Sequence, residues 1–196
     1  MNIFKMQADK LIYDFGLLEE LKKYGTPYIV GSYSMNLMAW NDLDIYVSNE
    51  TMSNGNLYKI TAFILDKFEP VWYEAKQDII DNKTVWFQGF ETNILGELWN
   101  VDIWFFDKEK IAETRAFCDK IKAQAQSDSA KKEAVISIKR ALIENDEYGF
   151  GKYTSMDVYK AVFELGIRTY NEFMEVHFWL PLEGKLSPQV TDEVFM

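Results

Sequence analysis

The chain has one cysteine, one histidine and no long apolar run, and each shortage excludes something. Cys118, standing alone, rules out an intramolecular disulfide and points to a reducing compartment. No apolar stretch approaches the roughly 20 residues that a membrane helix needs, so no membrane association is expected. Asp9 and Asp14 interrupt the opening segment before any apolar core can form, which argues against a signal peptide or anchor. The expected location is therefore the cytoplasm. Basic residues are also scarce: 21 Lys and Arg stand against 31 Asp and Glu, a formal net charge of −10. A protein that grips nucleic acid presents a basic face, because phosphate neutralisation supplies much of its affinity, so no nucleic-acid partner is expected. His177 falls near the end of an apolar helical pattern, where a packed or surface role is commoner than catalysis. What the chain has in quantity is apolar surface. With 48% hydrophobic and 16% aromatic residues over 196 positions, it can build one sizeable core, or a core with a helical extension.

The chain is organised around Tyr28 to Val47. Tyr28-Ile29-Val30 is a short apolar run ending in Gly31-Ser32, and after a spacer Asp42-Leu43-Asp44-Ile45-Tyr46-Val47 follows. In a strand, side chains alternate between faces, so Asp42 and Asp44 point the same way. Neighbouring like charges repel, and a sheet has no structural use for that. A hard divalent cation is the simplest remedy, since Mg²⁺ takes carboxylate oxygens and keeps other positions for water and phosphate. Gly31 lets backbone approach a ligand closely, and a turn into a helix start aims N–H groups at an anion. A third acid, Asp102, sits in Trp99-Asn100-Val101-Asp102-Ile103-Trp104-Phe105-Phe106, among residues that otherwise read as core.

This order of elements resembles the nucleotidyltransferase superfamily that includes DNA polymerase beta, the kanamycin and lincosamide nucleotidyltransferases and the small minimal nucleotidyltransferases. The resemblance rests on Gly31-Ser32, a spacer over 33–41, the Asp42-Leu43-Asp44-Ile45 pair and Asp102, and it covers about the first half of the chain. Many minimal members carry a second glycine in the spacer, where this chain has Tyr33-Ser34-Met35-Asn36-Leu37. The resemblance implies an α+β fold, with a mixed β-sheet core flanked by helices over 1–107 and a C-terminal helical region over 108–196 that walls the acceptor site. It also implies transfer of a nucleoside monophosphate from an NTP, ATP first among them, to a hydroxyl of a small molecule or protein. Asp42 and Asp44 would hold Mg²⁺ on the phosphates, and Asp102 would complete a second metal site about 3.5–4 Å from the first and activate the acceptor. Gly31 and Ser32 would bind the phosphates. The alternative is a nucleotide-binding or antitoxin-like regulatory protein that keeps the fold. Retention of all three acids favours the enzyme.

Each site residue has a plainer rival. Asp42 and Asp44 would suit a solvated strand edge or turn, Gly31-Ser32 an ordinary strand-to-helix turn, and Glu97 or Asp107 would replace Asp102 if the strand register differed. Trp86-Phe87, Trp99 and Trp104-Phe105-Phe106 read as core and sheet face before ligand platform, although some of these rings could stack on a base. Lys139, Arg140 and Lys152 read as solvated faces, although one cation near a triphosphate is expected on chemical grounds.

Periodicity sets the remaining elements. It predicts a helix over 5–24 ended by Gly25 and Pro27, a strand over 26–30, a short helix in the spacer, a loop over 51–56 and a helix over 57–68 ahead of Pro70. Strands follow over 71–75 and 84–90 around an Asp81-Asn82-Lys83 turn, with a break near Thr92-Asn93 and a strand over 97–106. Helices are expected over 112–126 and 130–145. After Gly149-Phe150-Gly151, a further helix capped by Thr154 or Ser155, with Thr154 three before Asp157 in a capping-box relation, carries Val158, Val162, Leu165, Tyr170 and Phe173 on its buried face. Pro181 to Met196 reads as an irregular tail.

Overall fold

The computed structural model describes residues 3–149 and 151–179. Two compact units divide the chain, Met1–Asp119 and Lys120–Met196. The fold is α+β, as expected.

The first unit is built on a five-stranded mixed sheet of order β1-β2-β5-β4-β3. Its strands are β1 (Pro27–Ile29), β2 (Asp42–Ser48), β3 (Trp72–Ile80), β4 (Lys83–Ile94) and β5 (Glu97–Phe106). β2 and β5 run parallel, and the other neighbours are antiparallel. Alternation divides the sheet into two faces. Leu43, Ile45 and Val47 of β2 and Trp99, Val101, Ile103 and Phe105 of β5 pack into one core with the helices. Those helices are α1 (Ile3–Asp9), α2 (Leu17–Leu21) and α4 (Asn54–Phe68). α4 supplies Leu57, Ile60, Ile64 and Phe68, and it starts inside the segment expected to be loop because the Ser53 hydroxyl caps it by accepting from the Asn56 amide. The opposite face of the sheet carries the acids.

Two expectations in this unit are corrected. The helix over 5–24 is broken: after α1 a π-helical turn spans Lys10–Asp14, and Gly16 at φ 79° restarts the chain as α2. Leu11, Ile12 and Leu21 are nevertheless fully buried. The expected break at Thr92-Asn93 is absent, because Thr92 is buried and its hydroxyl donates to the Phe68 carbonyl while the strand continues. The turn falls instead at Leu95-Gly96, both at positive φ, the geometry of a two-residue hairpin that matches strand twist.

α5 (Lys108–Ser127) runs across the division between the units. In the second unit, α6 (Ser129–Glu144) packs against α7 (Ser155–Phe163) and α8 (Tyr170–Trp179). Thr154 and Asp157 form the expected capping box. The single helix through Phe173 is corrected to two, since Gly166 at φ 76° ends the path of α7 and leaves Leu165 exposed. Lys139, read as part of a solvated basic face, is fully buried, with its ammonium 5.9 and 5.7 Å from the ring centroids of Tyr148 and Tyr159. Lys152 pairs with Asp146 at 2.7 Å. The tail over 181–196, the side chain of His177 and Phe150 lie outside the described residues.

Candidate active site

β1 delivers its chain end to a five-residue helix, α3 (Gly31–Met35), and the Val30 amide is tied to the Asp44 carbonyl of β2 at 3.0 Å. Gly31 adopts φ +60°. The helix leaves through Asn36, also at φ +60°, so an asparagine takes a left-handed position that glycine ordinarily fills. These constraints hold the Gly31-Ser32 turn against β2.

The parallel register of β2 and β5 then decides the site. Asp44 is the Cα partner of Asp102, and Asp42 is the partner of Asn100. All four side chains share one face, and one oxygen from each of Asp42, Asp44 and Asp102 lies within 4.8 Å of the others. Two of the three, Asp42 and Asp102, are nearly enclosed, 7% and 8% exposed. Glu97 and Asp107, the sequence rivals of Asp102, lie elsewhere: Glu97 pairs with Ile94 at the hairpin end, and Asp107 takes a 2.7 Å salt bridge from Lys83.

Asn100 is the residue that sequence reasoning passed over. Its Nδ2 donates to Asp42 Oδ1 at 3.0 Å and to Asp102 Oδ2 at 3.3 Å, so one amide bridges two carboxylates. Its signal was available in the strand alternation, because Asn100 stands two residues before Asp102 on the same face. The bridge only partly offsets the charge density. Burial, and then the negative charge of Asp42, pushes the Asp102 carboxyl up to about 8. Behind the acids the face turns apolar. Tyr46, Trp104 and Phe106 continue it, with Tyr46 and Phe106 centroids 4.9 Å apart and Trp104 stacked on Phe106 at 5.3 Å. Burial, followed by the charge of Asp44, holds the Tyr46 phenol well above its ordinary value, so it stays neutral beside the acids. Cys118 of α5 is buried too, and burial pushes its thiol up.

Two observations test whether a cation and a phosphate group suit these residues. Three converging carboxylates, two of them buried, form an all-oxygen donor set whose mutual repulsion a hard divalent cation would relieve. The Ser32 hydroxyl oxygen is buried with no hydrogen-bond partner among the described residues, at the turn where a phosphate oxygen would supply one. Both fit.

Solved structures share this arrangement of elements. The chain matches the MgGTP-bound Cid1 poly(U) polymerase with a TM-score of 0.58 at 14% identity, over 83% of this chain and 50% of that one. It matches the same polymerase with Mg 3′-dATP at 0.56 and 17% identity, over 81% and 48%. The non-canonical poly(A) polymerase of the GLD-2–GLD-3 complex follows at 0.51 and 12%, over 83% and 58%. The chain spans about half the length of the Cid1 structures it matches. At these identities the likeness is one of fold: the chain has the nucleotidyltransferase fold that the sequence motifs implied. No family model matches the sequence, and no curated protein does. No helix among the described residues is long and apolar enough to cross a membrane.

Proposed function

We propose that this chain is a metal-dependent nucleotidyltransferase that moves a nucleoside monophosphate from an NTP, ATP first among them, to a hydroxyl of a small molecule or protein, releasing pyrophosphate. The observation that carries the reading is the convergence of Asp42, Asp44 and Asp102 beside the Gly31-Ser32 turn. In this reading residues 1–107 are the catalytic core, 108–196 are a helical region, and the protein works in the cytoplasm.

Mg²⁺ held by Asp42, Asp44 and Asp102 would neutralise charge on the phosphate oxygens and on the leaving pyrophosphate. The chain's own groups do the rest. Backbone N–H groups at Gly31-Ser32 and the Ser32 hydroxyl receive phosphate oxygens. Asn100 holds Asp42 and Asp102 at fixed spacing. Asp102 accepts the proton of the acceptor hydroxyl as that oxygen bonds to the α-phosphorus and the bond to pyrophosphate breaks.

The net charge of −10 favours a small or protein acceptor over nucleic acid. The fold likeness favours a second reading, transfer to an RNA end, since the neighbours are named as poly(U) and poly(A) polymerases. A third, in which the protein binds nucleotide without transferring it, remains the alternative of a different class. Pyrophosphate release with Mg²⁺ and each NTP, against hydroxyl-bearing small molecules, proteins and RNA oligomers, separates the three. Release with a small molecule or protein and none with RNA is the expected result. Extension of RNA alone would overturn the acceptor assignment, and tight Mg·NTP binding with no release in any arm would favour the binder.

A further inference from the structure

The sheet ends on two unlike edges. β1 offers only Pro27–Ile29, whereas β3 runs for nine residues, and among the described residues no strand pairs with its outer side. Ala75 and Gln77 on that edge are exposed, and Val71 and Ile79 are apolar residues 63% and 68% exposed. Long open edges are templates for another strand.

The direction of the edge's hydrogen-bonding groups follows from its hairpin. β3 turns into β4 through Asp81 and Asn82, at φ 51° and 61°, and Ile80 pairs with Lys83 to close the turn. The closing pair of a two-residue hairpin exchanges both backbone hydrogen bonds. Ile80, Asp78, Lys76 and Glu74 therefore direct their N–H and C=O groups toward β4, and Ile79, Gln77, Ala75 and Tyr73 direct theirs outward.

We propose that a second copy of this chain pairs with that edge, antiparallel and about a twofold axis through Ala75, to give one ten-stranded sheet. Ala75 then meets the partner's Ala75 in a hydrogen-bonded pair, and Tyr73 meets the partner's Gln77 in another. Between them Glu74 faces the partner's Lys76 in a non-hydrogen-bonded pair, where Cα atoms are ~4.5 Å apart and side chains are closest. The twofold axis makes that contact twice. Glu74 and Lys76 already lie 3.5 Å apart within one chain, so the interface gathers four charges of alternating sign. Val71 falls beside the partner's Ile79. Charges on an edge normally discourage pairing, but here each meets its complement.

The neighbouring registers are poorer. An axis through Lys76 sets Glu74 against the partner's Asp78, and like charges opposed across strands repel. An axis through Gln77 matches Lys76 with the partner's Asp78, yet it sets Glu74 against the partner's Ile80. In the Ala75 register the two acid faces lie on the same side of the joint sheet. Five strand spacings separate one Asp102 from the partner's Asp102, ~24 Å.

The test is the solution mass of the full chain, independent of any catalytic activity. Sedimentation should give twice the 23.0 kDa chain mass for the native protein. Glu74→Lys and Lys76→Glu, each placing like charges opposite one another, should both shift it to the single mass, and the double swap should restore the doubled mass. Ala75→Cys should cross-link on oxidation. A native chain of single mass at high concentration overturns the proposal, as do single variants that keep the doubled mass. Cross-linking by Gln77→Cys and not by Ala75→Cys overturns the register.

Discussion

A side-chain carbon on Gly31 would sit 1.9 Å from Oδ2 of Asp44. The space a side chain would take is occupied by one of the three converging carboxylates, so the turn and the acid pair are a single device rather than two adjacent motifs. Gly31→Ala should therefore harm both. The left-handed backbone costs about 1–2 kcal/mol for any residue with a Cβ, and displacement of the Asp44 carboxylate adds to that. The expected result is a lower melting temperature together with at least a tenfold loss of Mg·NTP affinity by calorimetry. Affinity at the native level would show that Asp44 is not needed where it stands.

Removing one charge from the crowded set should act in the opposite sense on stability. Asp42→Asn or Asp44→Asn lowers the repulsion between neighbouring acids, so the fold should be intact or slightly stabilised without metal. Mg²⁺-dependent nucleotide binding should disappear. Calorimetry on the double variant checks this, and unchanged Mg·NTP affinity would sink the metal assignment.

The raised Asp102 carboxyl makes a claim about pH. Its folded value of about 8 lies above the ordinary 3.8, so between those values the folded protein holds a proton that the unfolded chain releases. The metal-free protein should therefore lose stability as pH rises from about 4 to about 8. Asp102→Asn should flatten that slope and, near the upper end, be the more stable protein by an amount on the order of a few kcal/mol. Thermal melts of both proteins in chelator across this range give the comparison. Saturating Mg²⁺ should reduce the slope in the native chain, because a cation favours the ionised carboxylates.

Asp102→Asn also separates chemistry from binding. Loss of a general base costs about 10² to 10⁴ in rate. The Gly31-Ser32 turn is unaltered by the substitution, so Mg·NTP affinity should fall far less than the rate of pyrophosphate release. Transfer at the native rate by Asp102→Asn would remove the catalytic role given to Asp102.

Local pattern was enough for much of this. The strands that carry Asp42, Asp44 and Asp102 were legible because alternation over six to ten residues shows which side chains share a face, and Thr154 with Asp157 announced a helix start within four residues. Interruptions by Gly16 and Gly166 were harder to read, since the apolar spacing continues across both and only the positive φ reveals the break. The burial of Lys139 was invisible for a similar reason: its rings come from Tyr148 and Tyr159, on other segments.

The site itself divides along the same line. By itself the sequence determined that three acids would lie on the polar side of two strands and that a glycine turn would precede them. Only the tertiary structure decided that β2 and β5 are parallel neighbours in the register that opposes Asp44 to Asp102, and that Asn100 reaches across 58 residues to bridge Asp42 and Asp102. The physical reason is that alternation is a property of a strand's own backbone, whereas register comes from hydrogen bonds and packing between segments far apart in the chain. A slip of one residue would have turned the same acids away from each other without altering any local pattern.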